Sequence, residues 1–229
     1  VSPRTPTEGR RGLAMILGVV GHMGAGKDVV AERLVTRYGF TRVAFADALK
    51  DEVATRLRRT VLRILEADKV WWQRLCRYAS QQGLAIDEPL KLLFGLWIDK
   101  PPTIRALLQE YGTEVRRADR RYYWETAWTE RVTARFGLPP QTWPPIVVPD
   151  VRFPGEAAWL RMHVGTWMIL VERPGYVGDA HASETQVSTI PVDATLINAG
   201  DLDDLANLVD LIAERLQLAP LQERKEKES

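Results

Sequence analysis

The stretch Gly21-His22-Met23-Gly24-Ala25-Gly26-Lys27-Asp28 constrains the fold more than any other, because it joins an apolar run, Met15 to Val20, to a helical pattern that begins at Val29. Glycines at this spacing let the backbone curl until successive N–H groups face one point, and the helix that follows adds its partial positive charge there. The G-x-x-x-x-G-K order is that of a phosphate-binding loop, which Gly21, Gly24, Ala25, Gly26, Lys27 and Asp28 would form. The plainer alternative is an ordinary strand-to-helix turn.

Four more apolar runs read as buried parallel strands: Arg42 to Ala46, Pro145 to Pro149, Trp167 to Val171 and Ala194 to Ile197. Helical spacing covers Val29 to Tyr38, Ala48 to Leu65, Tyr122 to Phe136, Gly155 to His163 and Leu202 to Leu216. Such alternation predicts an α/β fold, a doubly wound five-stranded parallel sheet that binds ligands at the carboxyl ends of its strands. Between the second and third strands the alternation lapses into mostly helical sequence, which predicts a helical insert over roughly 50–140. The insert holds Trp71, Trp72, Trp97, Trp124 and Trp128, and core packing is the plainer account of each ring. Residues 1–14 read as a disordered leader or an upstream extension, 15–218 as a single domain and 219–229 as a charged tail.

Composition narrows the function classes. Thirty-one basic residues against 30 acidic ones leave a formal charge of +1, so no global field draws the chain to nucleic acid or an anionic membrane. The basic residues are mostly Arg, whose planar fork suits phosphate. The lone Cys76 excludes an intramolecular disulfide and, with only three His, gives no basis for a structural zinc site. No run approaches the ~18 apolar residues of a membrane span. The expectation is a soluble cytoplasmic protein, in the host cytoplasm if it is viral, with no nucleic-acid or membrane partner and with a homodimer allowed.

Several side chains stand where a sheet of this kind would present them. Lys27 would reach the β- and γ-phosphates of a bound nucleotide. Asp28 replaces the usual Ser or Thr, and would act on a metal through water or cap the helix. Asp150 closes the third strand, where a carboxylate commonly holds Mg²⁺, and Arg152 shares its face if the segment stays extended; a local ion pair is the alternative. Asp47 and Lys50, at i and i+3, share a helix face after the second strand, though Asp47 could equally be an N-cap. Arg116, Arg117, Arg120 and Arg121 crowd together and would repel one another unless an anion relieved them. Arg173 ends the fourth strand and is a candidate contact to ATP, while His181 reads as a solvated loop residue.

These residues, taken in order, resemble the phage-type deoxynucleoside monophosphate kinases, relatives of dephospho-coenzyme A kinase and phosphomevalonate kinase. The likeness is carried by the G-x-x-x-x-G-K-D loop, by Ile104 to Glu114, by Arg121-Tyr122-Tyr123-Trp124 and by Val148-Pro149-Asp150-Val151-Arg152. It continues through Val171-Glu172-Arg173-Pro174-Gly175, His181 with Glu184, and Asn198-Ala199-Gly200. The resemblance implies a P-loop kinase dependent on ATP and Mg²⁺. By it, Gly24, Gly26 and Lys27 bind the ATP phosphates, and Asn198 lies near the adenine. By it too, Asp47, Lys50, Arg105, Arg121 and Arg152 belong to the acceptor side, where Arg116 of the basic cluster and Trp124 are expected as well. Val29 and Val30, where relatives often carry Thr, depart from the pattern.

The implied reaction is in-line transfer of the γ-phosphoryl group to a deoxynucleoside monophosphate, with Lys27, Asp150 and Arg152 as the catalytic set and Asp150, with Asp28, at the metal. Two rivals keep part of this chemistry. One is a kinase of another small acceptor such as dephospho-coenzyme A, for which Asp47 could serve as base. The other is a nucleotide-hydrolysing switch.

Overall fold

β-branched and aliphatic residues dominate β1 (Ile16–Val20), β3 (Ile146–Val151) and β4 (Thr166–Glu172), and every residue of β1 is buried, as the central strand of a two-faced sheet requires. The structure is a computed structural model that describes residues 15–55, 122–137, 139–163, 165–175 and 185–222. With β2 (Thr41–Arg42) and β5 (Ala194–Ile197) the strands run in the order β2-β3-β1-β4-β5, all parallel.

Alternation along the strands sorts the core into two layers. Leu17, Val19, Val147 and Ile169 pack with Val30 and Leu34 of α1 (Lys27–Tyr38) and with Leu205 and Val209 of α4 (Leu202–Arg215). On the opposite face, Ile16, Val20, Val148 and Met168 meet Trp128 and Val132 of α2 (Tyr123–Phe136) and Ala157 and Leu160 of α3 (Pro154–Arg161). Helices thus cover both faces, which is the doubly wound arrangement. Trp128 is core, as the plainer reading of the tryptophans held; its indole N–H donates to Val43 O at 3.1 Å and its ring lies 5.6 Å from that of Phe45.

The second strand differs from the expectation of Arg42 to Ala46. It ends at Arg42, and residues 45–55 are helical. Val43 still donates its N–H to Val147 O at 3.0 Å, but the next groups leave the ladder: Val43 O takes the Trp128 indole, and the Phe45 N–H goes to Asp150 Oδ1 at 2.9 Å. Side chains from α2 and β3 therefore satisfy backbone groups that a longer strand would have paired.

α1 and α4 are joined by a polar clamp on Asp210. Arg33 donates to both its oxygens, Nε to Oδ1 at 3.0 Å and Nη2 to Oδ2 at 2.6 Å; the Tyr38 hydroxyl donates to Oδ1 at 2.9 Å, and Arg37 Nε stands 3.5 Å from Oδ2. The Arg33 hydrogen bonds, working against burial, hold the Asp210 carboxyl below the usual carboxylate range. Burial, with the bond to Asp210, pushes the Tyr38 phenol up.

The chain divides into two compact units, Ala46–Trp124 and the remainder, and all five strands belong to the latter. The expected leader over 1–14, most of the expected insert, with Trp71, Trp72, Trp97 and Cys76, and the tail from 223 lie outside the described residues.

Candidate functional site

The sheet order places a switch point between β1 and β3. The chain leaves β1 through α1 on one face and crosses to β2, beyond β3; it leaves β3 through α3 on the other face and crosses to β4, beyond β1. Connections that part in this way open a crevice at the carboxyl ends of the two strands, where sheets of this class bind ligands.

The glycine loop occupies the β1 side of that crevice. Gly21 has φ 149°, and a Cβ there would come 2.4 Å from the carbonyl oxygen of Val171 in β4. Gly26, the N-cap of α1, is left-handed at φ 108°, and a Cβ there would meet Leu205 Cδ2 at 2.8 Å and Asn198 Nδ2 at 2.9 Å. Both positions demand glycine on conformational and steric grounds. Inside the loop, the Ala25 N–H donates to His22 O at 3.2 Å, and the buried Lys27 ammonium donates to the same carbonyl at 2.5 Å. Lys27 is thereby folded over its own loop. Because the N-cap is a glycine, α1 receives no capping oxygen at its N-terminus, and an anion is the natural complement of its first N–H groups.

Asp28 is the second residue of α1, exposed, and its carboxylate makes no hydrogen bond among the described residues. The N-cap is Gly26, so the expectation that Asp28 caps the helix is not met. Its carboxylate acts on the first turn only through the helix dipole.

On the β3 side, Pro149 sets the geometry. Gly18 pairs with Val148 and Val20 with Val151, so β3 carries one extra residue between these pairs, a bulge at the place where proline has no N–H to give. Val151 consequently joins Val148 in the same core layer. Simple alternation would have put Asp150 there. The bulge instead turns it, half-buried, to accept the Phe45 N–H. Just beyond, the buried Glu156 accepts the N–H groups of Arg152 (2.8 Å) and Phe153 (3.1 Å), fixing the backbone that carries Arg152. Glu156 escaped the sequence reading, although Pro154 opening a helix with Glu two residues on is a recognisable helix start.

Arg173 is exposed and follows the last residue of β4. Asn198 follows β5; its backbone N–H donates to Glu172 O at 2.7 Å and its side-chain amide to Ala25 O at 2.9 Å. The structure thus brings Asn198 to the glycine loop.

In the other unit, Lys50 Nζ stands 3.7 Å from Asp47 Oδ1, with both side chains buried, so the predicted common face is realised. The helix already includes residue 45, which places Asp47 within its first turn and not at the cap. Tyr123 donates to Glu52 Oε2 at 2.9 Å and packs edge-on against the buried Trp124, with ring centres 4.7 Å apart. Arg105, Arg116, Arg117, Arg120, Arg121 and His181 lie outside the described residues.

Comparison with known proteins gives three findings. Residues 93–209 match the family model for deoxynucleotide monophosphate kinase. A protein of Acanthamoeba polyphaga mimivirus, provisionally named a deoxynucleotide monophosphate kinase, is 26% identical over 200 residues, covering 83% of this chain and 91% of its own. The crystal structure of TT1252 from Thermus thermophilus aligns over 88% of this chain and 98% of that one, at 15% identity and a TM-score of 0.44, too distant a likeness to carry an argument.

Proposed function

We propose that this chain, which belongs to the deoxynucleotide monophosphate kinase family, moves the γ-phosphoryl group of ATP onto a deoxynucleoside monophosphate and releases two diphosphates. Family membership makes it a phosphotransferase that acts on nucleotides. The observation that carries the finer reading is the glycine loop at the switch point: a helix N-terminus left without a side-chain cap, with Lys27 in its first turn. That is a receptor for a polyphosphate.

The chemistry follows from charge. An acceptor phosphate oxygen attacks the γ-phosphorus as the bond to the β–γ bridging oxygen breaks, and the electron pair leaves on ADP. A phosphate dianion needs no strong base, so positioning and charge neutralisation are the protein's contribution. Lys27 would leave His22 O for the phosphates, and Arg152, on a backbone held by Glu156, would face the transferred group. Asp47, Lys50, Arg105, Arg116, Arg121 and Trp124 are the residues we assign to the acceptor, and Arg173 to ATP.

The donor set suits Mg²⁺ delivered with the nucleotide. Among the described residues no three His, Cys, Asp or Glu side chains gather as a cage, and Mg²⁺ needs only one or two carboxylates beside the phosphates. Asp150, already aimed by the Phe45 N–H, would hold it, with Asp28 acting through water. When bound, the ion would neutralise charge on the phosphates.

No helix of the described residues is long and apolar enough to cross a membrane. We place the protein in the cytoplasm, with nucleotides and not nucleic acid as partners. The test is ADP release on incubation with ATP, Mg²⁺ and each nucleoside monophosphate in turn. Release that needs a deoxynucleoside monophosphate supports the assignment. Release without any acceptor would make the protein a hydrolysing switch, and release only with another small acceptor would move the substrate class.

A further inference from the structure

The carbonyl of Ala25 is held from outside the loop. Asn198 donates its side-chain N–H to that oxygen at 2.9 Å, and Asn198 is itself fixed on both sides. Its backbone N–H is bonded to Glu172 O at 2.7 Å, and three residues on Asp201 caps α4, its carboxylate taking the N–H groups of Asp203 and Asp204 at 2.9 Å each. The contact is close enough that Gly26 could not carry a Cβ without meeting the same amide nitrogen.

A trans peptide directs its C=O and its N–H to opposite sides. Tethering the Ala25 oxygen to Asn198 therefore fixes the direction of the next N–H, that of Gly26, on the far side of that peptide. Gly26 is the N-cap of α1, so its N–H stands outside the helix ladder, and it has no hydrogen-bond partner among the described residues. A peptide with a left-handed glycine on its C-terminal side turns easily. Left untethered, it would present carbonyl oxygen or amide hydrogen to an incoming anion with little preference.

We propose that Asn198 is a positioning residue for phosphate binding: it presets the Ala25–Gly26 peptide so that the Gly26 N–H points at the nucleotide's phosphates. The proposal rests on reading the loop as the phosphate site. It differs from the base-side role expected of Asn198 from the family resemblance, because an amide engaged with Ala25 acts on every nucleotide alike.

The experiment uses the full chain and two probes, inorganic tripolyphosphate, which has no base, and ATP, with Asn198→Ala and Asn198→Asp as variants. Asn198→Asp keeps the shape but sets an acceptor against the Ala25 carbonyl. Calorimetric titration should show both variants binding tripolyphosphate about five- to tenfold more weakly than the unaltered chain, the factor one hydrogen bond implies, and ATP weaker by the same factor. Melting temperature without ligand checks that each variant is folded. Unchanged tripolyphosphate affinity overturns the proposal, whether ATP binding falls alone, which would make Asn198 a base contact, or only the melting temperature falls, which would make it a structural tie. Lys27→Ala separates the two layers of argument. If the unaltered chain and Lys27→Ala alike fail to bind tripolyphosphate, the phosphate-site reading falls and the role of Asn198 with it.

Discussion

Removing the Asp210 carboxylate should destabilise the fold without touching the chemistry. The side chains of Arg33 and Asp210 are 30% and 21% exposed, so their pairing at 2.6 Å is partly screened and its worth lies toward the lower end of the 1.5–3 kcal/mol typical of charge-assisted bonds, about 1.5. The Tyr38 hydroxyl bond adds about 1 kcal/mol. Asp210→Ala should therefore cost about 2–3 kcal/mol, and Asp210→Asn, which keeps one acceptor oxygen, about 1–2. In a chain of this length that lowers the melting temperature by about 5–10 °C for the alanine variant. The pH dependence has a definite sign. A carboxyl whose folded pKa is depressed contributes in full above its unfolded value, about 3.9, and the contribution is lost as pH falls through the folded value. The gap between the unaltered protein and Asp210→Asn should thus be flat from about pH 5 to 8 and close below about pH 4. Tyr38 works at the other end, since its raised pKa gives stability that is full below about pH 10 and lost as pH rises through the folded value. Tyr38 lies 11 residues along α1 from Lys27, about 16 Å away along the axis, so turnover per folded molecule should not change. Urea titrations across the pH series decide the matter. A gap under about 0.5 kcal/mol at pH 7, or one undiminished at pH 2, would refute the electrostatic account.

Four further substitutions address the site. Lys27→Ala should leave the circular dichroism unchanged and lower phosphoryl transfer by about two to three orders of magnitude; near-normal turnover in a folded variant would remove the loop from the mechanism. Gly26→Ala places a side chain at φ 108° against Leu205 and Asn198, at a cost of about 1–3 kcal/mol, and should reduce both melting temperature and ATP affinity; a variant with both intact would mean the loop relaxes freely. Asp150→Asn retains an oxygen for the Phe45 N–H while losing its charge, so it should fold, turn over slowly and need more Mg²⁺, whereas Asp28→Ser should stay active. A Mg²⁺ titration giving the opposite order would make Asp28 the essential carboxylate.

What the sequence displayed and what it hid divide along a physical line. A strand buried on both faces must be apolar throughout, and an amphipathic helix must repeat its apolar residues every three or four positions; those signals are local. Hence β5 was expected at Ala194 to Ile197 and lies there, and the helix expected from Tyr122 to Phe136 runs from Tyr123. β2 failed because Val43 to Phe45 is apolar for another reason. Beyond the Val43 N–H these residues leave the ladder, and Val43 and Phe45 serve the core beside Trp128; apolarity alone does not distinguish the two. The turn of Asp150 was hidden by counting i and i+2 along an unbroken strand, although a proline in an inner strand is itself the sign of a bulge.

The site is less legible than the fold, and for a stricter reason. The loop's glycines announce a backbone that must curl, but what aims it comes from elsewhere. Asn198 reaches Ala25 across 173 positions, and the Asp150 carboxylate reaches Phe45 across 105. Each of these is a polar side chain near a strand's end, and nothing in the local pattern names a partner so far along the chain. Only the sheet order brings them together. β1 lies beside β4, and β5 follows β4 outward, so the turn after β5 passes the loop after β1. If the loop is the phosphate site proposed above, Asn198, expected from the resemblance beside the adenine, instead holds the cradle open in advance of its ligand, when ordering the same peptide during binding would subtract from affinity.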